Sequence, residues 1–216
     1  QSLIEQHMLP VTLKQLDKML VLDSVSSTND YLLQQAKEQP FKTIACLAEY
    51  QTKGRGRHGR SWDADFASGC CLSLLWHFEN EPDKIIGLSL AVGVVLVKAL
   101  EKYGVNQPLE LKWPNDILWK GRKLAGILIE MLVGADGHCS VVIGVGMNIN
   151  NTSIPCANVA EITGETPQRN RLIGLLLNEL LETLQQFPEK GLPYFLSQWK
   201  KYDKMIGKPV TVSTAR

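Results

Sequence analysis

The chain has 216 residues, 44% hydrophobic and 21% charged, with a formal net charge of +1. That length holds one large domain, or one domain with a small appendage, and the apolar content is enough for a substantial core. The balanced charge argues against a general nucleic-acid binder, no stretch is apolar enough to span a membrane, and the N-terminus lacks a signal-peptide pattern.

Residues 1–20 are mixed and read as a short helix or strand. Ser27, Thr28 and Asn29 then precede Tyr31, Leu32, Leu33 and Ala36, which predicts a capped helix ending before Pro40. Thr43–Tyr50 and Cys70–Phe78 read as strands. The adjacent Cys70 and Cys71 point to opposite faces of the second strand, so they read as small core residues. Five cysteines without a CxxC, and four scattered histidines, predict a reducing, cytoplasmic setting and no structural metal. Ile85, Leu88, Val92, Val95 and Ala99 fall at helical spacing between about Asp83 and Tyr103. Leu109–Trp113 and Ile117–Trp119 read as short strands around Pro114, and Lys120-Gly121 turns the chain into a strand over Lys123–Leu132. Ala135-Asp136-Gly137 predicts a hairpin turn into a strand over Ser140–Asn148. Residues 149–170 read as a polar connection, followed by helices over about Arg171–Phe187 and Leu192–Asp203. The last stretch, IGKPVTVSTAR, begins like a strand.

This order predicts an α+β fold, a mixed β-sheet with helices packed mainly on one face. Residues 1–203 form the main domain in this reading. Residues 204–216 begin a small, incomplete C-terminal β domain, because a lone strand is not independently stable.

Between the first two predicted strands lies QTKGRGRHGRSW, Gln51–Trp62. It sets Lys53, Arg55, Arg57 and Arg60 among Gly54, Gly56 and Gly59 with no acidic residue. Glycine lets backbone N–H groups approach a ligand closely, and the guanidinium fork matches phosphate oxygens. Such a segment repels itself when empty and folds around an anion when filled, so it reads as a mobile phosphate-handling loop. A linker, a localisation signal and a nucleic-acid contact are the blander readings. The flanking strands disfavour a linker. The run is not a Walker A loop, and no GxGxxG opens a helix.

Four segments together carry a family resemblance: SSTN at 26–29, EYQTKGRGRHGRSW at 49–62, LKWPNDILWKGRKLAGIL at 111–128 and IGVGMNIN at 143–150. In this order they resemble biotin–protein ligases over about Leu22 to Val212. The resemblance implies a two-step reaction. Biotin and MgATP give biotinyl-5′-AMP and pyrophosphate, and a lysine of a biotin carboxyl carrier protein, of the acetyl-CoA carboxylase type, then takes the biotinyl group. It implies that Ser27, Thr28, Asn29 and Gln51 line the biotin pocket, and that Arg55 and Arg57, with Gly54 and Gly56, close over the carboxylate and α-phosphate. Lys123 would contact both groups; with Arg55 and Arg57 it makes the catalytic set. Gly126, Gly144 and Gly146 would let strand backbones meet biotin. Arg57, Arg60, Trp62, Lys112, Asn115, Lys123 and Asn148 would hold ATP, with Trp62 near the adenine and Asp116 as a metal-related carboxylate for Mg²⁺. From the residues alone, Ser27 and Thr28 are equally a helix cap, Trp62 a core aromatic and Asp116 a turn former. His58 departs from the family's GRGRRGR form and removes one firm positive charge.

Three rivals define the alternatives. Lipoate–protein ligases and octanoyltransferases share the fold, but their RRxxGGGxVxHD segment is absent here. A non-catalytic biotin sensor or repressor would carry a winged helix-turn-helix of roughly sixty residues; only 26 residues precede Ser27, so no DNA-binding role is expected. A nucleic-acid module built on the basic run would bind any polyanion with steep salt dependence. Relatives often pair through the central sheet, which leaves a homodimer open.

Overall fold

The computed structural model describes residues 1–38, 41–79, 85–134, 138–150 and 155–211. Seven strands form one sheet: β1 (Lys18–Val25), β2 (Ile44–Gln51), β3 (Gly69–Phe78), β4 (Glu110–Lys112), β5 (Asp116–Trp119), β6 (Arg122–Val133) and β7 (Cys139–Asn148). Their spatial order is β1-β2-β3-β7-β6-β5-β4. Every neighbouring pair is antiparallel except β1 and β2. A parallel pair needs a crossover, and helix α3 (Thr28–Glu38) supplies it, as the third helix after α1 (Ser2–Glu5) and α2 (Pro10–Leu13).

Strand alternation divides the core between the two faces. Ala45, Leu47, Leu72, Leu74, Ile143 and Val145 face a large cluster built with helices α4 (Leu88–Tyr103) and α6 (Arg169–Trp199). Ile44, Cys46, Leu75 and Val142 face the other way, against Leu32 and Ala36 of α3. The expected α+β sheet with helices mainly on one face is therefore present, with α3 as the exception that covers part of the second face. The rest of that face holds the site.

Several elements differ from the sequence reading. β1 is a full strand where a mixed lead-in was expected. It is an edge strand whose burial alternates only weakly, so its identity comes from pairing with β2. The polar connection contains a short helix, α5 (Val159–Thr163), capped by the Asn158 side chain accepting from Glu161 N–H at 2.8 Å. The two expected C-terminal helices are present within α6, parted at Gly191, which takes φ 61°, ψ 179° between Pro188 and Pro193. The second stops at Trp199 rather than Asp203, after which Asp203 makes a single bridge to Leu111. Residues 206–211, where a strand was expected to begin, carry none. The expected Ala135-Asp136-Gly137 turn and the helix start at Asp83 lie outside the described residues.

The helical layer closes on a glycine. A Cβ at Gly93 of α4 would lie 2.9 Å from the Trp199 ring and 3.4 Å from Leu111. Gly93→Val is expected to overpack this contact by roughly 1–3 kcal/mol, lowering Tm by about 2–4 °C per kcal/mol. A thermal melt within 1 °C of wild type, allowing about that for experimental scatter, would contradict the packing described.

Candidate active site

A cavity of about 280 Å³ opens on the sheet face opposite α4 and α6. Its walls are the start of α3 (Ser27, Thr28, Asn29), the end of β2 (Gln51), the basic run, the 112–116 turn, and the middles of β3, β6 and β7.

One end is walled by hydroxyls and amides and is tightly hydrogen-bonded. Gln51 Oε1 accepts from the Thr28 backbone N–H at 2.8 Å and from its hydroxyl at 3.0 Å. Ser73, wholly buried on β3, contacts Thr28 Oγ1 at 2.7 Å and donates to Asn29 Oδ1 at 2.6 Å. Asn29 Nδ2 donates to Glu130 at 2.9 Å. These bonds fix both amide orientations, so the wall is preorganised. Helix capping and a ligand wall coexist here: Asp30 N–H reaches Ser27 Oγ at 3.4 Å while Ser27 lines the cavity. Cys71 also lines it, and burial pushes its thiol up to about 11, so it stays protonated at neutral pH.

The other end is cationic. The basic run is a tight hairpin: Trp62 N–H donates to the Gly54 carbonyl at 2.9 Å and Gly56 N–H to the Arg60 carbonyl at 2.7 Å. Its tip is a tight turn at Arg57–Gly59, in which His58 takes φ 55° and Gly59 φ 70°. Histidine tolerates the left-handed region better than most residues, which gives His58 a backbone reason for its place. Acids from elsewhere offset part of the charge of the run. Arg55 pairs with Asp30 at 3.0 Å and with Glu130 of β6. Arg57 reaches Asn115 Oδ1 in a long 3.5 Å contact. Asn115 in turn donates to the Ile127 carbonyl at 2.9 Å, tying the 112–116 turn to β6.

Trp62 lies on the sheet itself. A Cβ at Gly146 would collide with its indole, and one at Gly126 would come within 3.3 Å of the ring and 3.0 Å of Lys123 Nζ. A Cβ at Gly144 would strike the Asn29 amide. The three glycines receive the Trp62 and Asn29 side chains and also line the cavity. Trp62 Nε1 is buried without a hydrogen-bond partner. Lys123 Nζ stands 5.4 Å from the Trp62 ring and 2.8 Å from Asp116 Oδ1, which has no other partner.

Most of the expected site residues converge on this cavity: Ser27, Thr28, Asn29, Gln51, Arg55, Gly56, Arg57, Arg60, Trp62, Lys112, Asn115, Asp116, Lys123, Gly126, Gly144 and Gly146. Gly54 and Asn148 do not line it. Gly54 is buried under the Trp62 carbonyl, and Asn148 Nδ2 reaches back to the Lys123 carbonyl at 3.4 Å. Sequence reasoning missed Ser73, Cys71, Asp30, Glu130 and Trp113. Only Ser73 left a signal, as a lone hydroxyl inside the apolar strand CCLSLLWHF.

Comparison with known proteins places this arrangement. Residues 21–148 match the model of the Biotin/lipoate A/B protein ligase family, and the chain belongs to that family. It is 40% identical over 206 residues to the bifunctional ligase/repressor BirA of Escherichia coli, covering 92% of this chain and 64% of that protein. It is 34% identical over 209 residues to the biotin–[acetyl-CoA-carboxylase] ligase of Mycobacterium tuberculosis, covering 92% of this chain and 74% of that one. The biotin protein ligase of Aquifex aeolicus, solved with biotin and ATP, superposes with a TM-score of 0.73 at 30% identity, over 88% of this chain and 80% of that chain. The chain thus spans just under two thirds of the length of the Escherichia coli relative.

The glycine floor gives a direct test. Gly146→Ala is expected to lift Trp62 and loosen the hairpin, raising the rate of tryptic cleavage at Lys53–Arg60 by about tenfold, the change that roughly 1.4 kcal/mol of local opening free energy produces. Unchanged cleavage with unchanged tryptophan fluorescence would show that the ring does not rest there.

Proposed function

We propose that this domain is a biotin–protein ligase that activates biotin with ATP and passes it to a lysine of a biotin carboxyl carrier protein. The supporting observation is the polarity of the cavity. Fixed neutral donors and acceptors crowd its α3 end, while Arg57, Lys112 and Lys123 stand at the other. That pattern suits a ligand with a neutral hydrogen-bonding head and a carboxylate tail, brought against a phosphate. Biotin has that form, with a ureido ring at one end and a valerate at the other. A lipoyl or octanoyl chain has nothing to offer Thr28, Asn29 and Gln51.

In the first step a biotin carboxylate oxygen attacks the α-phosphorus of ATP, the bond to the β-phosphate oxygen breaks, and pyrophosphate leaves. Lys123 and Arg57 are placed to offset the charge gathering on the α-phosphate, the increment that lowers the barrier. Trp62 would shield the mixed anhydride from water, its orphaned Nε1 offering a donor to the ligand. In the second step the acceptor lysine, as a free amine, attacks the acyl carbon, loses a proton and expels AMP. Asp116 is paired with an ammonium, and the described residues contain no group of three potential metal ligands. Mg²⁺ would arrive with the nucleotide phosphates, and Asp116 is the one carboxylate lining the cavity among the described residues that could meet it. Five free cysteines, four of them buried, fit a reducing, cytoplasmic setting for this chemistry.

ATP-dependent incorporation of labelled biotin into a carrier domain tests the proposal, and incorporation of lipoate or octanoate instead would overturn it. Lys123→Ala is expected to slow adenylation by roughly 10²–10³-fold, the usual loss when one preorganised charge-stabilising donor is removed. Transfer from supplied biotinyl-5′-AMP should suffer less, because the phosphate is then leaving. Equal loss in both half-reactions, measured separately, would remove Lys123 from α-phosphate stabilisation.

Arg57→Gly should leave the fold intact and weaken retention of the intermediate, with each lost charge-assisted hydrogen bond worth about 1.5–3 kcal/mol. The measurement is biotin labelling of bystander lysines; a variant that labels only the carrier domain would refute this role.

A further inference from the structure

The hairpin over the cavity hangs from two roots. At the first, Thr52 and Lys53 N–H donate to the Val25 and Ser26 carbonyls at 2.9 and 2.8 Å. At the second, residues 63–68 return the chain to β3 through Ala67, whose φ is +54°. A left-handed alanine persists only where its surroundings hold it there. Here Ala67 N–H donates to the Glu49 carbonyl at 3.0 Å, and the Ala67 carbonyl accepts from Arg169 Nη1 at 3.2 Å. The next carbonyl, that of Ser68, accepts from Ile149 and Asn150 N–H at 3.3 and 2.8 Å.

Arg169 comes from the start of α6 on the far side of the sheet. Its two terminal nitrogens take both oxygens of the Glu49 carboxylate, with Nη1 to Oε2 at 2.5 Å. The side chains are only 22% and 20% exposed, making this the most enclosed ion pair among the described residues. The hydrogen bond to Glu49 holds the guanidinium's pKa above its ordinary value, against the opposing effect of burial. Glu49 lies two residues before Gln51, the residue that holds Thr28. One guanidinium thus joins the end of β2, the second hairpin root and α6.

We propose that Arg169 is a positioning residue for the active-site hairpin. Through Glu49 and the Ala67 carbonyl it keeps Ala67 left-handed, and so sets where Arg57 and Trp62 stand over the cavity. It does not line that cavity; it borders a separate recess of about 180 Å³ on the other face. Without the guanidinium, Ala67 loses one of its two tethers and relaxes toward negative φ, turning the root and displacing the cationic tip. The inference rests on the ligase reading for its kinetic consequences, while the geometry of the root stands apart from it.

Stability and positioning are separable, because an enclosed ion pair replaced by apolar side chains of similar volume often costs little. The Arg169→Met/Glu49→Met double variant removes the pair together and also removes the donor to the Ala67 carbonyl. It is expected to melt within a few degrees of wild type, while KM for biotin and for ATP rises about tenfold and kcat stays within about threefold, as for a displaced binding group. Trypsin should cut its hairpin faster in the absence of ligands. Arg169→Lys, which keeps the charge but not the planar fork, should fall between the two. A purely structural role would lower the active fraction and leave both KM values alone. Wild-type KM values and wild-type tryptic protection in the double variant, or in Arg169→Lys if the double variant does not fold, would overturn the assignment. A wild-type protein that fails to adenylate biotin would instead sink the ligase reading, and the tryptic comparison would still decide the role of Arg169.

Discussion

Room for a ligand on this sheet exists because three neighbouring positions carry no side chain. Gly126 pairs with Gly146, and Gly144 lies two residues along the same strand on the same face. A methyl at any of them meets Trp62, Lys123 or Asn29. The glycines let an indole and an amide lie almost on the backbone, which brings the floor of the cavity down to the sheet. The hairpin that carries Trp62, and the helix start that carries Asn29, are both docked by this close approach. Glycine weakens a strand interior by leaving nothing to pack, and here the missing packing is supplied by two residues from outside the sheet.

Charge balance follows the same economy of placement. Three of the cations that line the cavity have an internal partner or near-partner: Arg55 has Asp30 and Glu130, Lys123 has Asp116, and Arg57 has the Asn115 amide. These pairs are partly exposed, so solvent screens them and each stabilises the fold by less than about 1 kcal/mol. Their weakness matters for function. A ligand carboxylate or phosphate can take over an ammonium or guanidinium from a protein carboxylate at small net cost. The displaced Asp116 is the exception, since its Oδ1 is buried with no second partner.

Local chemistry made much of this legible in the sequence. Apolar periodicity marked α4 and the strands β2, β3, β6 and β7, because those elements are buried and their periodicity is the burial itself. The spacing of arginine and glycine between two strands marked the segment that folds as the hairpin bordering the cavity. Edge and connecting elements were not legible. β1 has little alternation to read, and α5 is a single capped turn whose apolar residues are too few to show a period. The two expected C-terminal helices matched the break in α6 at Gly191, while the contact of Trp199 with Gly93, more than a hundred residues away, left no mark in the sequence.

The sequence by itself determined the chemical inventory: cations without local acids, hydroxyls and amides before a helix, and glycines inside apolar strands. Those features depend on residue type and short spacing, which a linear reading sees directly. Only the tertiary structure decided how the inventory is spent. It put Trp62 and Asn29 on the glycines, gave Arg55 to Asp30 and Glu130, tied Asn148 to the Lys123 carbonyl, and hid Ser73 behind Thr28. It also joined Glu49 to Arg169 across 120 positions of chain. Such pairings arise from sheet order and helix docking, because a side chain's partner is whichever group the fold brings within about 3 Å, and sequence distance does not encode that.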